Sequence, residues 1–208
     1  MTEHEEIEQK FDVDEDFQRP DFGRISGFPG LRAAPPVTHH LSATYFDTPD
    51  LSLAAAKITL RRRTGGTDEG WHLKLPKGTD TRREIHAPLS SEVSADTVPA
   101  DLAARVAEVT AGAPLAPVAI LSTERTVVTL TVDGSAVAEI ADDMVTARRL
   151  AGSGSGSGED GPELRWREVE VEVPRADPAL QEAVAAALKA AGARPAGHAS
   201  KLARVLDS

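Results

Sequence analysis

Charged side chains recur at alternate positions in three separate segments of the sequence. These rows are Glu6, Glu8 and Lys10 near the amino terminus, Arg61 and Arg63 in the middle, and Glu168, Glu170 and Glu172 near the carboxyl end. Side chains two positions apart lie on the same face of a β-strand, so each row predicts one charged strand face. A single row of this kind is most often the solvated face of an antiparallel sheet. Chemistry would therefore have to come from several rows acting together.

Together, the three rows have the charges that a phosphate-handling site requires. Carboxylates at alternate strand positions supply the hard oxygen ligands that Mg²⁺ and Mn²⁺ prefer, and arginine binds phosphate oxygens through paired hydrogen bonds. Acidic strands at the two ends of the chain and basic strands between them would complement one another if they lined one cavity. Metal, arginine and lysine in one cavity predict phosphoryl transfer, in which catalysis is mainly positioning and charge stabilisation.

The charge of the chain favours a small polyanion over a nucleic acid as the partner. The formal net charge of the 208 residues is -10, which argues against a broad basic surface. The segment from Lys57 to Arg83 nevertheless contains eight basic and three acidic residues, so we expect a local cationic site.

Cysteine is absent, so a metal would bind oxygen or histidine. Because the amino terminus is acidic and no run of about 18 apolar residues occurs, we expect a soluble cytoplasmic protein without membrane contact.

The charged rows lie in segments that have the pattern of strands. Alternation predicts strands over 5–13, 39–48, 58–64, 70–76 and 81–89, then a long hairpin and a strand over 164–174. Apolar spacing and capping residues predict helices over 51–56, 99–112 and 176–193 and a last helical turn over 200–206. The Gly/Ser run within residues 152–160 predicts a flexible loop, and the length suits a single domain over residues 1–208.

The hairpin leaves one site residue undecided. Asp133-Gly134 predicts a two-residue turn between its strands. With that turn, Arg125 pairs with Asp142 on the same face, whereas one more loop residue would pair Arg125 with Asp143. The sequence therefore leaves both aspartates open as the one that joins the site.

Several of these segments resemble the CYTH family, or triphosphate tunnel metalloenzymes, which includes triphosphatases, thiamine triphosphatases and class IV adenylate cyclases. Residues 6–10 are similar to the family's ExExK signature. Segments 45–63, 71–76, 81–85 and 167–173 resemble, in the family's order, its second strand with helix and RxR strand, its lysine strand, its Arg-x-Glu strand and its acidic last strand. The resemblance covers nearly the whole chain. It implies an α+β fold in which a closed antiparallel eight-stranded β-barrel surrounds a tunnel and helices pack outside.

Carried over residue by residue, the resemblance implies two groups of site residues. The implied catalytic residues are Glu6, Glu8, Lys10, Arg61, Arg63, Lys74, Glu84, Arg125 and Lys201. Those implied to bind phosphate oxygens are Lys10, Arg61, Arg63, Lys74, Arg125 and Lys201. The implied ligands of Mg²⁺ or Mn²⁺ are Glu6, Glu8, Glu168, Glu170, Glu172 and one of the pair Asp142 and Asp143.

The resemblance implies metal-dependent hydrolysis of inorganic triphosphate and leaves other activities open. Class IV adenylate cyclases and thiamine or nucleoside triphosphatases share these residues and differ in what holds the organic group. The sequence has no clear segment for recognising a nucleotide base. We therefore expect tripolyphosphate to be the substrate ahead of the others. In another class, the domain binds polyphosphate without turnover, since many bacterial CYTH domains continue into a helical CHAD domain. The expected partner is tripolyphosphate, another triphosphate-bearing small molecule or polyphosphate, and the oligomeric state is not predicted.

Overall fold

The fold is built on one antiparallel sheet. The computed structural model describes residues 1–77, 81–90, 94–152, 159–173 and 177–208, with the backbone alone at residues 4–7 and 81. Within these residues the strands are β1 (Thr2–Val13), β2 (Arg32–Ala33), β3 (Val37–Asp47), β4 (Thr59–Thr64), β5 (Gly70–Pro76), β6 (Thr81–Ala87), β7 (Ala116–Val132), β8 (Ser135–Arg149), β9 (Leu164–Glu172) and β10 (Arg194–Pro195). The α-helices are α1 (Ser52–Ala55), α2 (Ala100–Arg105), α3 (Ala107–Thr110), α4 (Pro178–Ala190) and α5 (Lys201–Leu206).

The strands and helices predicted from the sequence are present, with small differences. The helix expected over 99–112 is divided into α2 and α3, because Val106 leaves helical geometry between them at φ −114°. The strands β2 and β10 have two residues each, too few for alternation to predict them. Most of the loop expected over 152–160 falls on residues 153–158, outside the described residues. Among the described helices, none is long and apolar enough to cross a membrane.

The sheet curls around a concave face but is not a continuous closed barrel. Its strand order is β10-β1-β6-β5-β4-β3-β7-β8-β9, with β2 beside β7. β1 pairs with β6 through residues 2–7 and with β9 through residues 8–13, so no residue of β1 is flanked by both β6 and β9. The expected closed eight-stranded barrel is therefore wrong: the described residues form a sheet of ten strands that is open and curled. Alternation predicts the face that a side chain takes and carries no information about which strand edges pair.

Apolar residues that alternate with the charged rows cover the convex face. Leu60, Leu73 and Ile85, on β4, β5 and β6, are buried under Leu53 of α1 and Leu102 of α2. A second apolar cluster lies between α4 and the strands β1, β8 and β9. Burying a side chain of this size contributes about 1.5–3 kcal/mol, which is enough to determine the face that each strand turns inward.

The helix α5 packs at one end of the concave face. The Ser200 hydroxyl accepts a hydrogen bond from the Ala203 amide (3.1 Å) and caps the helix. Leu202 and Val205 are buried against apolar residues of β3, β7 and β8. This packing carries Lys201, the first residue of α5, to the charged part of the concave face.

The hairpin of β7 and β8 determines which aspartate faces inward. Asp133 and Gly134 form the predicted two-residue turn, with φ of 50° and 81°. A β-bulge just before the turn shifts the register by one residue. Arg125 consequently pairs with Asp143 rather than with Asp142.

Candidate active site

A charged cavity of about 350 Å³ lies on the concave face of the sheet. This volume suits a small-molecule ligand. Its charged lining residues are Lys10, Arg61, Arg63, Lys74, Arg82, Arg125 and Lys201, opposed by Glu8, Asp68, Glu84, Glu139, Glu170 and Glu172. Most of the cations stand on β4, β5 and β6, and most of the carboxylates stand on β8, β9 and β1. The cavity thus has a basic side and an acidic side.

The basic wall consists of Arg61 and Arg63 on β4, Lys74 on β5 and Arg82 on β6. The guanidinium of Arg61 donates one hydrogen bond to the Tyr45 hydroxyl at 3.3 Å. The Nε atoms of Arg61 and Arg63 are buried, and neither has a hydrogen-bond partner among the described residues. A buried donor without a partner costs about 1–3 kcal/mol. An anion that accepts from both arginines would recover that energy.

Neighbouring cations disfavour the charge of Arg63. Burial lowers the pKa of Arg63 to about 9, and the charges of Arg61 and Arg125 act in the same direction. The carboxylate of Asp68, on the loop between β4 and β5, contacts the Arg63 guanidinium and is 58% exposed. A local positive potential of this kind attracts a compact polyanion.

Glu84 links the basic wall to the rest of the cavity. Its Oε1 lies 2.5 Å from His72 Nδ1, and its Oε2 lies 3.4 Å from Lys74 Nζ. Burial alone would raise the pKa of Glu84, but the hydrogen bond with His72 and the charges of Lys74 and Arg61 outweigh burial and hold that pKa well below its usual range. Glu84 is therefore an ionised carboxylate that orients Lys74.

An inner network of three cations and three carboxylates lies beside α5. Its members are Lys10, Arg125, Lys201, Asp143, Glu168 and Glu170. Lys201 Nζ is 2.8 Å from Asp143 Oδ2, 2.6 Å from Glu168 Oε1 and 2.8 Å from Glu170 Oε1. Lys10 Nζ is 2.5 Å from Glu170 Oε1. Arg125 donates two hydrogen bonds to Asp143 and one to Glu170, at 2.6–2.7 Å. Every charge of the network therefore has an opposite charge beside it.

The network keeps its members ionised in spite of burial. Burial would raise the pKa of Glu170, but the charges of Lys10, Lys201 and Arg125 outweigh it and hold that pKa well below its usual range. Burial would likewise lower the pKa of Lys201, but the neighbouring carboxylates hold it well above its usual range. Buried charges persist in this way when they are paired and hydrogen-bonded.

The acidic row consists of Glu8 on β1, Glu172 on β9 and Glu139 on β8. Glu8 pairs with Glu172 across one ladder, and Glu172 pairs with Glu139 across the next. Directly paired residues of antiparallel strands have their Cβ atoms about 4.5–5.5 Å apart on the same face. Glu8 Oε1 is buried and lacks a well-formed hydrogen bond, although Lys10 Nζ lies 3.1 Å away. Three adjacent carboxylates with a buried, poorly satisfied oxygen offer the hard oxygen ligands that Mg²⁺ or Mn²⁺ prefers, although among the described residues only Asp143, Glu168 and Glu170 form a trio whose oxygens lie within 4.8 Å of one another.

A second carboxylate cluster fits a metal less well. Oxygens of Asp143, Glu168 and Glu170 lie within 4.8 Å of one another, which is a spacing that a metal ion could bridge. The Lys201 ammonium already lies 2.6–2.8 Å from all three carboxylates. A cation at this position would have to displace that ammonium. The acidic row avoids that displacement, but its three carboxylates would have to move closer together to share a metal.

The structure brings together most of the residues that the sequence singled out. The cavity or the inner network contains Glu8, Lys10, Arg61, Arg63, Lys74, Glu84, Arg125, Asp143, Glu168, Glu170, Glu172 and Lys201. Asp142 lies on the opposite face, where it pairs with Arg167 at 2.8 Å, and this placement removes it from the candidate metal ligands. The side chain of Glu6 lies outside the described residues.

Sequence reasoning did not single out several cavity-lining residues that carry charged, aromatic or imidazole groups, which are Tyr45, Asp68, His72, Arg82, His86 and Glu139. Arg82 and His72 stand two positions from Glu84 and Lys74, so strand alternation could have found them. Glu139 has no charged residue two positions away on its strand; Asp143 is four positions away. Only the pairing of Glu139 with Glu172 across the ladder shows that it belongs to the site. Tyr45 carries no charge that would mark it in the sequence.

Comparison with sequence families and curated proteins identifies relatives of the chain. A family model described as the CYTH domain matches residues 4–205. Two uncharacterized proteins of Mycobacterium tuberculosis, MT2285 of strain CDC 1551 / Oshkosh and Rv2226 of strain H37Rv, are each 47% identical over 212 residues. The match covers 99% of this chain and 40% of each relative. The chain thus spans less than half the length of the curated relatives that it matches.

Solved structures share the fold over nearly the whole chain. A proposed adenylate cyclase from Bacillus halodurans has a TM-score of 0.63 and 19% identity, covering 98% of both chains. A proposed adenylyl cyclase from Hippeastrum, described as having a dominant triphosphatase activity, has a TM-score of 0.54 and 20% identity, covering 97% of this chain and 95% of that one. At such identities the likeness concerns the fold alone.

Proposed function

Because the chain belongs to the CYTH family, we propose that it hydrolyses inorganic triphosphate in the cavity of the concave face, with Mg²⁺ or Mn²⁺ as cofactor. The observation that carries the proposal is the pair of buried Nε atoms of Arg61 and Arg63, which have no hydrogen-bond partner among the described residues. Their unused donors call for an anion with several acceptor oxygens. A chain of three phosphates supplies such oxygens in a row.

The two sides of the cavity suggest how the substrate lies. The phosphates bind against the basic wall, with Arg61 and Arg63 donating to adjacent oxygens and Lys74 held in place by Glu84. Glu8, Glu172 and Glu139 would hold the metal, which when bound neutralises charge that develops on the phosphoryl oxygens. A carboxylate of the cavity orients a water for in-line attack on the terminal phosphorus, and phosphate and pyrophosphate leave.

The inner network has a positioning role in this proposal. Its six charges neutralise one another, so Lys10 and Arg125 stay extended toward the cavity by their contacts with Glu170. Pre-organised charges need no rearrangement when the transition state forms, which is how fixed electrostatic groups accelerate a reaction. Lys201 joins α5 to this network, and α5 would thereby hold one end of the site in place.

The fold relatives agree with the proposed chemistry. Both solved relatives are described as proposed cyclases, and the one from Hippeastrum is also described as having a dominant triphosphatase activity. Both reactions begin with a bound triphosphate group. The described part of the cavity lining contains three aromatic or imidazole groups, Tyr45, His72 and His86, and each already has a hydrogen-bond partner: Arg61, Glu84 and the backbone oxygen of Glu69, respectively. We therefore place inorganic triphosphate ahead of a nucleotide or thiamine triphosphate.

The test measures phosphate release from tripolyphosphate, ATP, thiamine triphosphate and long-chain polyphosphate with Mg²⁺ or Mn²⁺. We expect the fastest release from tripolyphosphate and none after metal chelation or in the Glu8→Gln variant. The matched control is Glu3→Gln, on the same strand but paired with Arg83 away from the cavity, which should keep wild-type activity. Cyclic AMP formed from ATP would assign the chain to the cyclases. Faster release from thiamine triphosphate would assign it to the thiamine triphosphatases.

A second candidate is a module that binds polyphosphate without turnover. The observation that favours it is the length of the relatives, which continue well beyond the segment matched by this chain. We propose that residues 1–208 form one domain, which in a longer protein would serve as the binding part. Tight polyphosphate binding without phosphate release under any metal condition would support this candidate and exclude the triphosphatase.

A further inference from the structure

His72 lies between two groups that accept hydrogen bonds and have no proton to donate. Its Nδ1 is 2.5 Å from the ionised Glu84 carboxylate, and its Nε2 is 2.9 Å from the backbone oxygen of Asp68. Each contact therefore needs an N–H from the ring. A neutral imidazole has one N–H and an imidazolium has two, so only the imidazolium makes both hydrogen bonds.

The surroundings of His72 favour the neutral ring. Burial lowers the pKa of His72 to about 4, the hydrogen bond with Glu84 opposes that shift, and the charges of Arg61 and Arg63 reinforce it. Near neutral pH the ring thus has one proton, which goes to the charged acceptor and the shorter contact, Glu84. Nε2 then presents a lone pair to the Asp68 carbonyl. The charged or titratable groups around the ring are Arg61 and Arg63 on β4, Lys74 on β5, and Glu84 and His86 on β6.

Asp68 also forms an ion pair with an arginine of the basic wall. The Asp68 carboxylate contacts the Arg63 guanidinium and lines the cavity. The loop leaves β4 through Gly65 and Gly66, whose φ angles of 81° and 78° suit glycine, and a Cβ on Gly65 would lie 2.1 Å from the His40 carbonyl oxygen. The start of the loop is therefore held in place, while Asp68 itself is contacted by His72 and Arg63, and the next residue, Glu69, is contacted by His86.

We propose that His72 is a positioning residue that couples the binding of a phosphate-type anion to proton uptake by its ring and so holds the Asp68 loop against the occupied site. An anion on Arg61 and Arg63 cancels the charges that disfavour the imidazolium, and a proton from solvent then binds Nε2. The same anion displaces the Asp68 carboxylate from Arg63. The new N–H of His72 bonds the Asp68 carbonyl, so the loop remains in place after its side chain has lost its partner.

This inference rests on the proposed function only for the identity of the anion, and it can be tested without turnover. The first experiment follows the ring nitrogens of His72 by NMR against pH, with and without sulfate, which stays fully ionised over the range and needs no metal. The His72→Asn variant identifies the resonances. We expect sulfate to raise the midpoint of His72 by about one pH unit, as an opposite charge does at close range. An unchanged or lowered midpoint would overturn the inference.

The second experiment measures proton uptake during tripolyphosphate binding, by calorimetry in buffers of different ionisation enthalpy with a chelator present, at a pH between the free and sulfate-bound midpoints of His72, where the uptake is largest. Uptake should fall in His72→Asn, whose amide replaces Nδ1 toward Glu84 but offers no donor to Asp68, while the variant stays folded. The control is His86→Asn, since His86 contacts the backbone oxygen of Glu69 instead. Equal uptake in the wild type and His72→Asn would show that another group takes the proton and would sink the inference. A sulfate-dependent shift in a protein that releases no phosphate would reject the proposed function and leave this inference standing.

Discussion

Arg125 and Asp143 form a two-bonded ion pair across the ladder of β7 and β8, with donor–acceptor distances of 2.7 and 2.6 Å. Asp143 is fully buried, and it also lies 2.8 Å from Lys201 Nζ. The pair therefore joins the sheet to α5 through charges that are mostly buried. Loss of one partner from such a cluster leaves an uncompensated buried charge.

The first prediction concerns the stability that this pair provides. We expect Asp143→Asn to lower the free energy of unfolding at pH 7 by about 3–5 kcal/mol, because Arg125 and Lys201 lose a shared counter-charge. Urea denaturation measures the change. The control is Glu139→Gln, on the same strand and face but exposed, which should change stability by about 0.5 kcal/mol or less. Equal effects of the two substitutions would contradict a special role for the buried pair.

The second prediction concerns the pH dependence of the same difference. Burial would raise the pKa of Asp143, but Lys201 and Arg125 outweigh it and lower that pKa below its unfolded value of 3.8. A carboxyl with a lowered pKa stabilises the fold above its unfolded pKa, and that contribution is lost as the pH falls through the folded pKa. The stability difference between the wild type and Asp143→Asn should therefore be constant from pH 6 to 8, roughly, and shrink below about pH 4. A difference that grows toward acid pH would show that the carboxylate is destabilising.

The sequence predicts the inward-facing residues well where charged and apolar side chains alternate. In β4 and β9, a slip of one residue would expose the apolar row, so burial determines the faces of Arg61, Arg63 and Glu170. The sequence could not show that Asp143 rather than Asp142 faces the cavity, because a β-bulge changes the register without a signal in the side-chain pattern. The prediction of a closed barrel was wrong at β1 for a related reason. Which strand edges pair depends on backbone geometry and not on the alternation of faces.

The third prediction concerns the position of Lys201 among three carboxylates. In Lys201→Ala, Asp143, Glu168 and Glu170 lose their shared cation, and we expect a loss of about 3–5 kcal/mol of stability at pH 7. Their oxygens lie within 4.8 Å of one another, so Mn²⁺ should occupy the vacated position and raise the thermal midpoint of the variant more than that of the wild type. Differential scanning calorimetry with and without Mn²⁺ tests both expectations. Lys189→Ala, an exposed lysine of α4, is the control and should show neither effect.

The fourth prediction separates the acidic row from other carboxylates. Glu172→Gln should weaken Mn²⁺ binding at least about tenfold, because a neutral amide replaces a charged ligand between Glu8 and Glu139. Calorimetric titration with Mn²⁺ measures the change directly and needs no substrate. Glu163→Gln, an exposed carboxylate that contacts Arg165, should bind Mn²⁺ like the wild type. Unchanged affinity in Glu172→Gln would move the metal to another part of the cavity.

The last prediction compares neighbouring arginines that strand alternation turns to opposite faces. Arg61 lines the cavity, whereas Arg62 does not. We expect Arg61→Gln to weaken tripolyphosphate binding by about 10- to 100-fold, the effect of losing hydrogen bonds from a charged donor to a charged acceptor. Arg62→Gln should bind like the wild type, and its unfolding should match that of Arg61→Gln within about 1 kcal/mol. Binding is measured by calorimetry in a chelator, so that hydrolysis does not interfere. If both substitutions weaken binding equally, the anion binds by general charge attraction and not by the inward face of β4, and the assignment of the basic wall fails.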